Sequence, residues 1–253
     1  MDTREPGRAP SGQGAMRIED QTPKLIRIYL AAGWAVLMLL AIVSGLVYRR
    51  VAVGRLTYDT EGRAVALAQQ FVAASWPDFR TFVRDASGLS PADLREHPQA
   101  AAVIDDIRAR AQGLPLIQIR LYATDGMIVA STAPDEIGTY TAGTVVLEIA
   151  AGRWFGPARP DAHSELARAV TLGAPRTALM DADLVVTHIA LRSDFRDIEA
   201  VLGLYQDVTP AVRRITRTQG LAMGGVIAIA TLAAAALWSR ARRAGIPNRG
   251  EAP

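Results

Sequence analysis

The 253-residue chain has no cysteine. Disulfides, thiolate catalysis and cysteine-held metal sites are therefore excluded. Lysine is nearly absent too, with Lys24 alone against 27 arginines. With abundant alanine, that bias is compositionally that of a GC-rich bacterial genome. There are three histidines, His97, His163 and His188. No two of them have the regular spacing on one element that a metal site needs, so no metal and no cofactor is expected. Neither a Walker-type phosphate loop nor a G-x-G-x-x-G turn is present.

What the chain has in quantity is apolar sequence, at 50% of residues. That is too much for a disordered polymer. Two uncharged runs hold much of it, Ile28–Tyr48 between Arg27 and Arg49 and Thr218–Ser239 between Arg217 and Arg240. Each has the roughly 20 residues that cross a bilayer core as a helix. Neither shows a polar face. The first run is too long for a signal-peptide core and is read as an uncleaved anchor. The predicted organisation is a disordered tail over 1–25, a first transmembrane helix over 26–48, a central domain over 49–217, a second transmembrane helix over 218–239 and a tail over 240–253.

Net charge divides along the same lines. Residues 1–27 carry +1, residues 49–218 carry −1 and residues 240–253 carry +3. The basic balance therefore belongs to membrane edges and not to a nucleic-acid surface. The positive-inside count is equivocal. Arg240, Arg242 and Arg243 in the tail compete with Arg49, Arg50, Arg55, Arg213, Arg214 and Arg217 inside the loop. Because long loops translocate largely regardless of charge, the expected topology is two cytoplasmic tails around an extracytoplasmic domain, in a bacterial inner membrane.

Within the central domain, Leu56, Ala64, Leu67, Ala68 and Phe71 recur at helical spacing. They predict a stalk helix over 49–75, ended by Pro77. Ser90-Pro91 starts a helix, with serine as N-cap and proline at the first helical position. A further helix is expected from Ala100 to Ala111, with His97 in a helix as a surface or capping residue. Leu116–Tyr122 alternates Ile117, Ile119 and Leu121 with Gln118, Arg120 and Tyr122, which predicts a half-buried strand. Asp125-Gly126 supplies a hairpin turn and Met127–Ser131 the partner strand. Ser131 to Gly138 reads as one capped helical turn closed by glycine. Val145–Ala151 reads as a short helix, and Leu184–Leu191 and Val201–Gln206 as strands. The stretch from Trp154 to Pro175 gives no clear pattern. Asp207-Val-Thr209-Pro210 is expected to cap a helix of about 30 residues, with Pro210 at its first position, running into the second apolar run.

The segment Ile119-Arg-Leu-Tyr-Ala-Thr-Asp-Gly-Met-Ile-Val-Ala-Ser-Thr-Ala-Pro-Asp-Glu-Ile-Gly138 resembles the strand, DG turn, strand and S-x-x-x-x-I-G block of bacterial extracytoplasmic PAS-like (Cache-type) sensor domains. Those domains are the input halves of membrane histidine kinases and diguanylate cyclases. Gly203-Leu-Tyr-Gln-Asp-Val-Thr-Pro210 resembles their last strand and exit, with Gln206 as a departure. The stretch from Trp76 through His97-Pro98 to Gly113-Leu114-Pro115 fits their helical lead-in. The resemblance covers about residues 50–240. It implies an α/β (α+β) domain with a five-stranded antiparallel sheet behind a long N-terminal helix, and a sensory function. The sequence ends 14 residues after the second run. That leaves no room for a kinase or cyclase output, so signalling would pass in trans to a separate histidine kinase or diguanylate cyclase.

If a small ligand binds, Arg120, Tyr122, Ser131, Arg153, His188 and Tyr205 are the expected contacts, with Arg153-Trp154 at the pocket edge. Each has another reading. Arg120 suits a ligand carboxylate or a salt bridge to Asp125 or a helix. Tyr122 and Tyr205 suit a rim, and His188 a core position, a hydrogen-bond donor or a pH sensor. Asp207, Thr209 and Pro210 are the expected signal-transmission residues. Asp161-Ala-His163-Ser164 contains an acid, a base and a nucleophile. Consecutive residues do not face one another across space as a triad must, so no enzyme activity is expected. Gly220-x-x-x-Gly224 and Ala41-x-x-x-Gly45 offer small-residue faces for helix packing, and a homodimer is expected. Two rival readings are a non-sensing, membrane-anchored structural or assembly partner and a truncated remnant of a longer sensor kinase.

Overall fold

The computed structural model describes residues 22–141, 143–153, 161–168, 182–192 and 197–244. The outer parts of both tails, and Trp154, lie outside them. The chain divides into two compact units, Arg49–Arg217 and the flanking segments up to Tyr48 and from Thr218.

In the flanking unit, helix α1 (Thr22–Ala74) and helix α6 (Thr209–Ala244) each contain a stretch long and apolar enough to cross a membrane. They approach at Gly45, where an added Cβ would lie 2.5 Å from Met223 Sδ. The in-chain contact thus uses the Ala41–Gly45 face. Gly220 and Gly224 have open space where a Cβ would stand.

The central unit is a sheet with a helical layer on one face. Its strands are β1 (Leu116–Tyr122), β2 (Ile128–Ser131), β3 (Ala162–Arg168), β4 (Asp183–Arg192) and β5 (Ile198–Asp207). Their spatial order is β2-β1-β5-β4-β3, antiparallel throughout. This is the five-stranded antiparallel sheet with a long N-terminal helix that the resemblance implies. The helical layer is α1, α2 (Trp76–Asp85), α3 (Pro91–Glu96) and α4 (Pro98–Arg110). Phe71, Trp76, Leu94, Val103 and Ile107 pack there on Ile119, Leu121, Leu202 and Leu204, all 3% exposed or less. On the other face, α5 (Thr144–Ala150) sets Val146 and Ile149 on Tyr122, Ile128, Ala190 and Val201.

Several local expectations are corrected. Pro77 does not end the stalk helix. That helix stops at Ala74, and Pro77 lies in the first turn of α2, where a missing N–H costs nothing. His97 is not inside a helix. It ends α3 and caps α4, its Nδ1 accepting from Gln99 N–H at 3.2 Å, with its ring stacked on Phe82. Strand β1 is not half-buried. Gln118 and Tyr122 are as buried as Ile119 and Leu121, because both faces are covered. Strand β3 had no clear sequence signal. Thr209, and not Pro210, opens α6. Ser90 does cap α3, accepting from Asp93 N–H at 3.2 Å.

The hairpin docks on the helices through Gly138, whose φ is +83° and whose Cβ would lie 2.6 Å from Pro91 Cβ. Only glycine tolerates both conditions. Gly138→Ala should therefore cost about 2 kcal/mol or more. Gly88→Ala, where a Cβ meets nothing within 4 Å, should stay within about 0.5 kcal/mol. Denaturant titration of the full chain in detergent checks the difference.

Candidate functional site

The sheet face away from the helical layer carries a connected polar cluster. Strand alternation puts Gln118, Arg120 and Tyr122 of β1 on that face, opposite Ile119 and Leu121. In register, Arg120 and His188 both lie beside Gly203 of β5, one on each side. Gly203 is where the neighbouring rings come down on the backbone. A Cβ there would lie 3.0 Å from Tyr122 Cε2 and 3.4 Å from His188 Cδ2. Tyr205 lies two residues along β5, and Ser131 of β2 is opposite Arg120.

The cluster centres on Arg120. Its guanidinium grips Glu136 in a bidentate pair, Nε to Oε2 at 2.8 Å and Nη2 to Oε1 at 2.6 Å. The remaining terminal nitrogen donates to Tyr205 Oη at 2.6 Å, and the guanidinium carbon lies 4.8 Å from the Tyr205 ring centre. Glu136 also accepts from Gln118 Nε2 at 2.7 Å and from Ser131 Oγ at 3.2 Å. Arginine only donates, so Tyr205 must accept from it. The Tyr205 hydroxyl also shares a hydrogen bond with Tyr122 Oη, 3.2 Å away, in which either hydroxyl can donate. His188 completes the group, its ring 6.0 Å from Tyr122 and 6.4 Å from Tyr205 between centroids. Its Nδ1 is buried and has no hydrogen-bond partner among the described residues.

The charges follow from this geometry. Burial is the largest single influence and works against the Arg120 charge, but the hydrogen bonds to Glu136 together with the electrostatic pull of Tyr205, Tyr122 and Glu136 outweigh it and hold the guanidinium above its ordinary value. Burial would raise Glu136, but Arg120, with help from Gln118 and Ser131, holds the carboxyl below the usual range. Burial, then the neighbouring Tyr205, pushes the Tyr122 phenol well up. Burial, then the charges of His163 and Arg120, pushes His188 down to about 4. At neutral pH the shifted groups of the cluster are therefore one cation, one anion, the neutral Tyr122 phenol and a neutral imidazole.

Of the residues singled out in the sequence, Arg120, Tyr122, Ser131, His188 and Tyr205 come together here. Arg153 does not. It is exposed after α5, where its backbone N–H bonds Glu148 O. The partner of Arg120 is not Asp125 but Glu136, on the single 3-10 helical turn Pro134–Glu136. Glu136 and Gln118 were missed: nothing local marks Glu136, whereas strand alternation already sets Gln118 on the face of Arg120 and Tyr122. Glu136 lies inside the quoted I-G block, and only the hairpin brings it back over β1. Asp161, His163 and Ser164 do not converge. Asp161 pairs with Arg192 at 2.7 Å, and Ser164 bonds Thr187 at 2.9 Å on the face opposite His163.

Asp207, Thr209 and Pro210 lie at the exit of β5. Thr209 N–H donates to Asp207 Oδ1 at 2.8 Å, while Thr209 Oγ1 accepts from Asp183 N–H at 2.9 Å. Val208 N–H bonds Asp183 O at 2.9 Å, and Val208 and Val212 pack on Val185. The threonine thus ties the start of α6 to β4 instead of capping its own helix.

The two shifted groups titrate in different windows. An unfolded chain protonates His188 near 6.5, and the folded chain only near 4. Its contribution is whole above pH 6.5 and declines as pH falls toward 4. Glu136 contributes above the ordinary carboxyl value of 4.5, and that contribution is lost as pH falls through its lower folded value. Denaturation midpoints measured against pH should therefore fall in two limbs. His188→Gln should flatten the upper limb and Glu136→Gln the lower one. An upper limb unchanged in His188→Gln would refute the assignment.

No family model matches the sequence, and no curated protein matches it. Among solved structures the chain is similar to the sensor domain of DcuS from E. coli, at 13% identity and a TM-score of 0.39, covering 64% of this chain and 97% of that one.

Proposed function

We propose that this protein is a membrane-anchored sensory input module. It is a two-pass protein of a bacterial inner membrane, with Arg49–Arg217 outside the cytoplasm and both tails inside. The domain binds a small molecule at the Arg120, Tyr122, Ser131, His188 and Tyr205 face. It signals in trans, as a homodimer, to a separate histidine kinase or diguanylate cyclase. It is a binding module and not an enzyme.

The observation that carries the reading is the polar cluster itself. A sheet face that only needed to pack would be mostly apolar, as the helical face is around Ile119, Leu121, Leu202 and Leu204. This one gathers a cation, an anion, two phenols and an imidazole with an unpartnered nitrogen. Three further features support it. The segments 119–138 and 203–210 resemble extracytoplasmic PAS-like input domains. Two apolar helices flank the domain in the chain. Tyr205 stands on the strand that gives way to α6 after a single residue, Val208. A ligand moves such an equilibrium only through unequal affinity for two packings.

The test is thermal unfolding of the full chain in lipid nanodiscs against a panel of small acids, amino acids and polar neutral compounds. A true ligand at about 100 times its dissociation constant should add about 2.7 kcal/mol, a rise of several degrees. Tyr205→Phe or Arg120→Gln should abolish the rise, and Arg153→Ala should leave it. No rise with any compound would contradict sensing and favour a membrane-anchored assembly partner.

A further inference from the structure

The donors and the acceptor of the cluster have different origins. Gln118 and Arg120 are on β1, Ser131 ends β2 and Tyr205 is on β5, all fixed by the sheet register. Four side-chain donor contacts from Arg120, Gln118 and Ser131 converge on one carboxylate. That carboxylate alone comes from outside the sheet, on the turn Pro134–Glu136. A bidentate arginine fork with a side-chain amide and a hydroxyl is a built carboxylate receptor. The Glu136 side chain keeps 21% of its surface exposed against 12% for Arg120, so the occupant sits on the solvent side of its receptor.

We infer that Glu136 is the resident occupant of a carboxylate cradle formed by Arg120, Gln118 and Ser131, and that a small external carboxylate exchanges with it. This rests on the ligand face proposed above and names both its ligand chemistry and its regulation. Without ligand the turn holds the cradle shut. An entering carboxylate takes the fork and the amide, and releases the turn. Arg120 also donates to Tyr205, so the exchange is felt on β5. An internal carboxylate competes at an effective concentration of about millimolar or more. A lone carboxylate therefore binds the native chain weakly, and a true ligand must add contacts of its own, with Tyr205 Oη, Tyr122 Oη and His188 Nδ1 the groups of the same cluster that can supply them.

Glu136→Ala removes one CH2–COO⁻ group, which acetate matches in size and charge. In the full chain, this variant should unfold at a lower temperature than the native protein. Acetate should restore about 3 °C or more of the loss. Sodium chloride at equal ionic strength and acetamide, the neutral isostere, should not. Native protein and the Arg120→Gln/Glu136→Ala double variant should move by less than about 1 °C. Acetate that leaves Glu136→Ala unmoved, or that moves the double variant equally, overturns the inference. If Glu136→Ala does not fold, titration of Glu136→Gln replaces it. Acetate should bind that variant at least tenfold tighter than native protein, and equal affinity overturns the inference. The rescue reads the cradle alone. It can succeed where the nanodisc panel finds no ligand, which would remove the sensory reading and leave the cradle.

Discussion

One constraint organises the central domain, namely that the guanidinium of Arg120 is buried on a sheet strand and must be neutralised there. An unpaired buried cation is far more costly than the same group in water. Its partner must come from elsewhere in the chain, and the hairpin after β1 brings Glu136 back over the strand it has just left. The tight turn at Gly126, the capped turn at Pro134–Glu136 and the left-handed Gly138 against Pro91 all serve that return. Because arginine donates only, Tyr205 must accept from it, and Tyr122 is joined to the cluster through the Tyr205 hydroxyl.

The two faces of the sheet divide the work. The helical face is apolar and continuous from Phe71 to Leu204 and gives the unit its stability. The other face is apolar only under α5 and polar around Gly203. Polar groups left there are individually poor for stability unless they satisfy one another, as Arg120, Glu136, Gln118, Ser131 and Tyr205 do. Strand β5 belongs to both faces. Leu202 and Leu204 are held by the helices, Tyr205 is held by Arg120, and one residue after the strand ends at Asp207 the chain turns into α6 under the grip of Asp183 on Thr209.

Much of this was legible where the signal is local. Ser90-Pro91, the alternation of Leu116–Tyr122, Asp125-Gly126 and the runs at Leu184 and Val201 each carry their own chemistry within a few residues. Pro77 misled because a proline suits the first turn of a new helix as well as the end of an old one. Strand β3, Ala-His-Ser-Glu-Leu-Ala-Arg, has too little apolar alternation to announce itself and is specified by pairing with β4. Five of the six ligand-face residues came together because strand alternation predicts which side chains share a face. Arg153 did not, since only its tertiary position could say whether it reached the sheet. Glu136 was out of reach for the same reason. It is 16 residues from Arg120 and looks like any acid in a turn.

The polar cluster depends on the coupling between Arg120 and Glu136. A double-mutant cycle with Arg120→Gln, Glu136→Gln and the double variant, read by denaturant unfolding of the full chain at neutral pH, measures it directly. The structure predicts a favourable coupling of about 1–3 kcal/mol, with the double variant no less stable than the worse single one. A coupling near zero would mean that the two side chains do not neutralise each other, and the polar cluster would lose its centre.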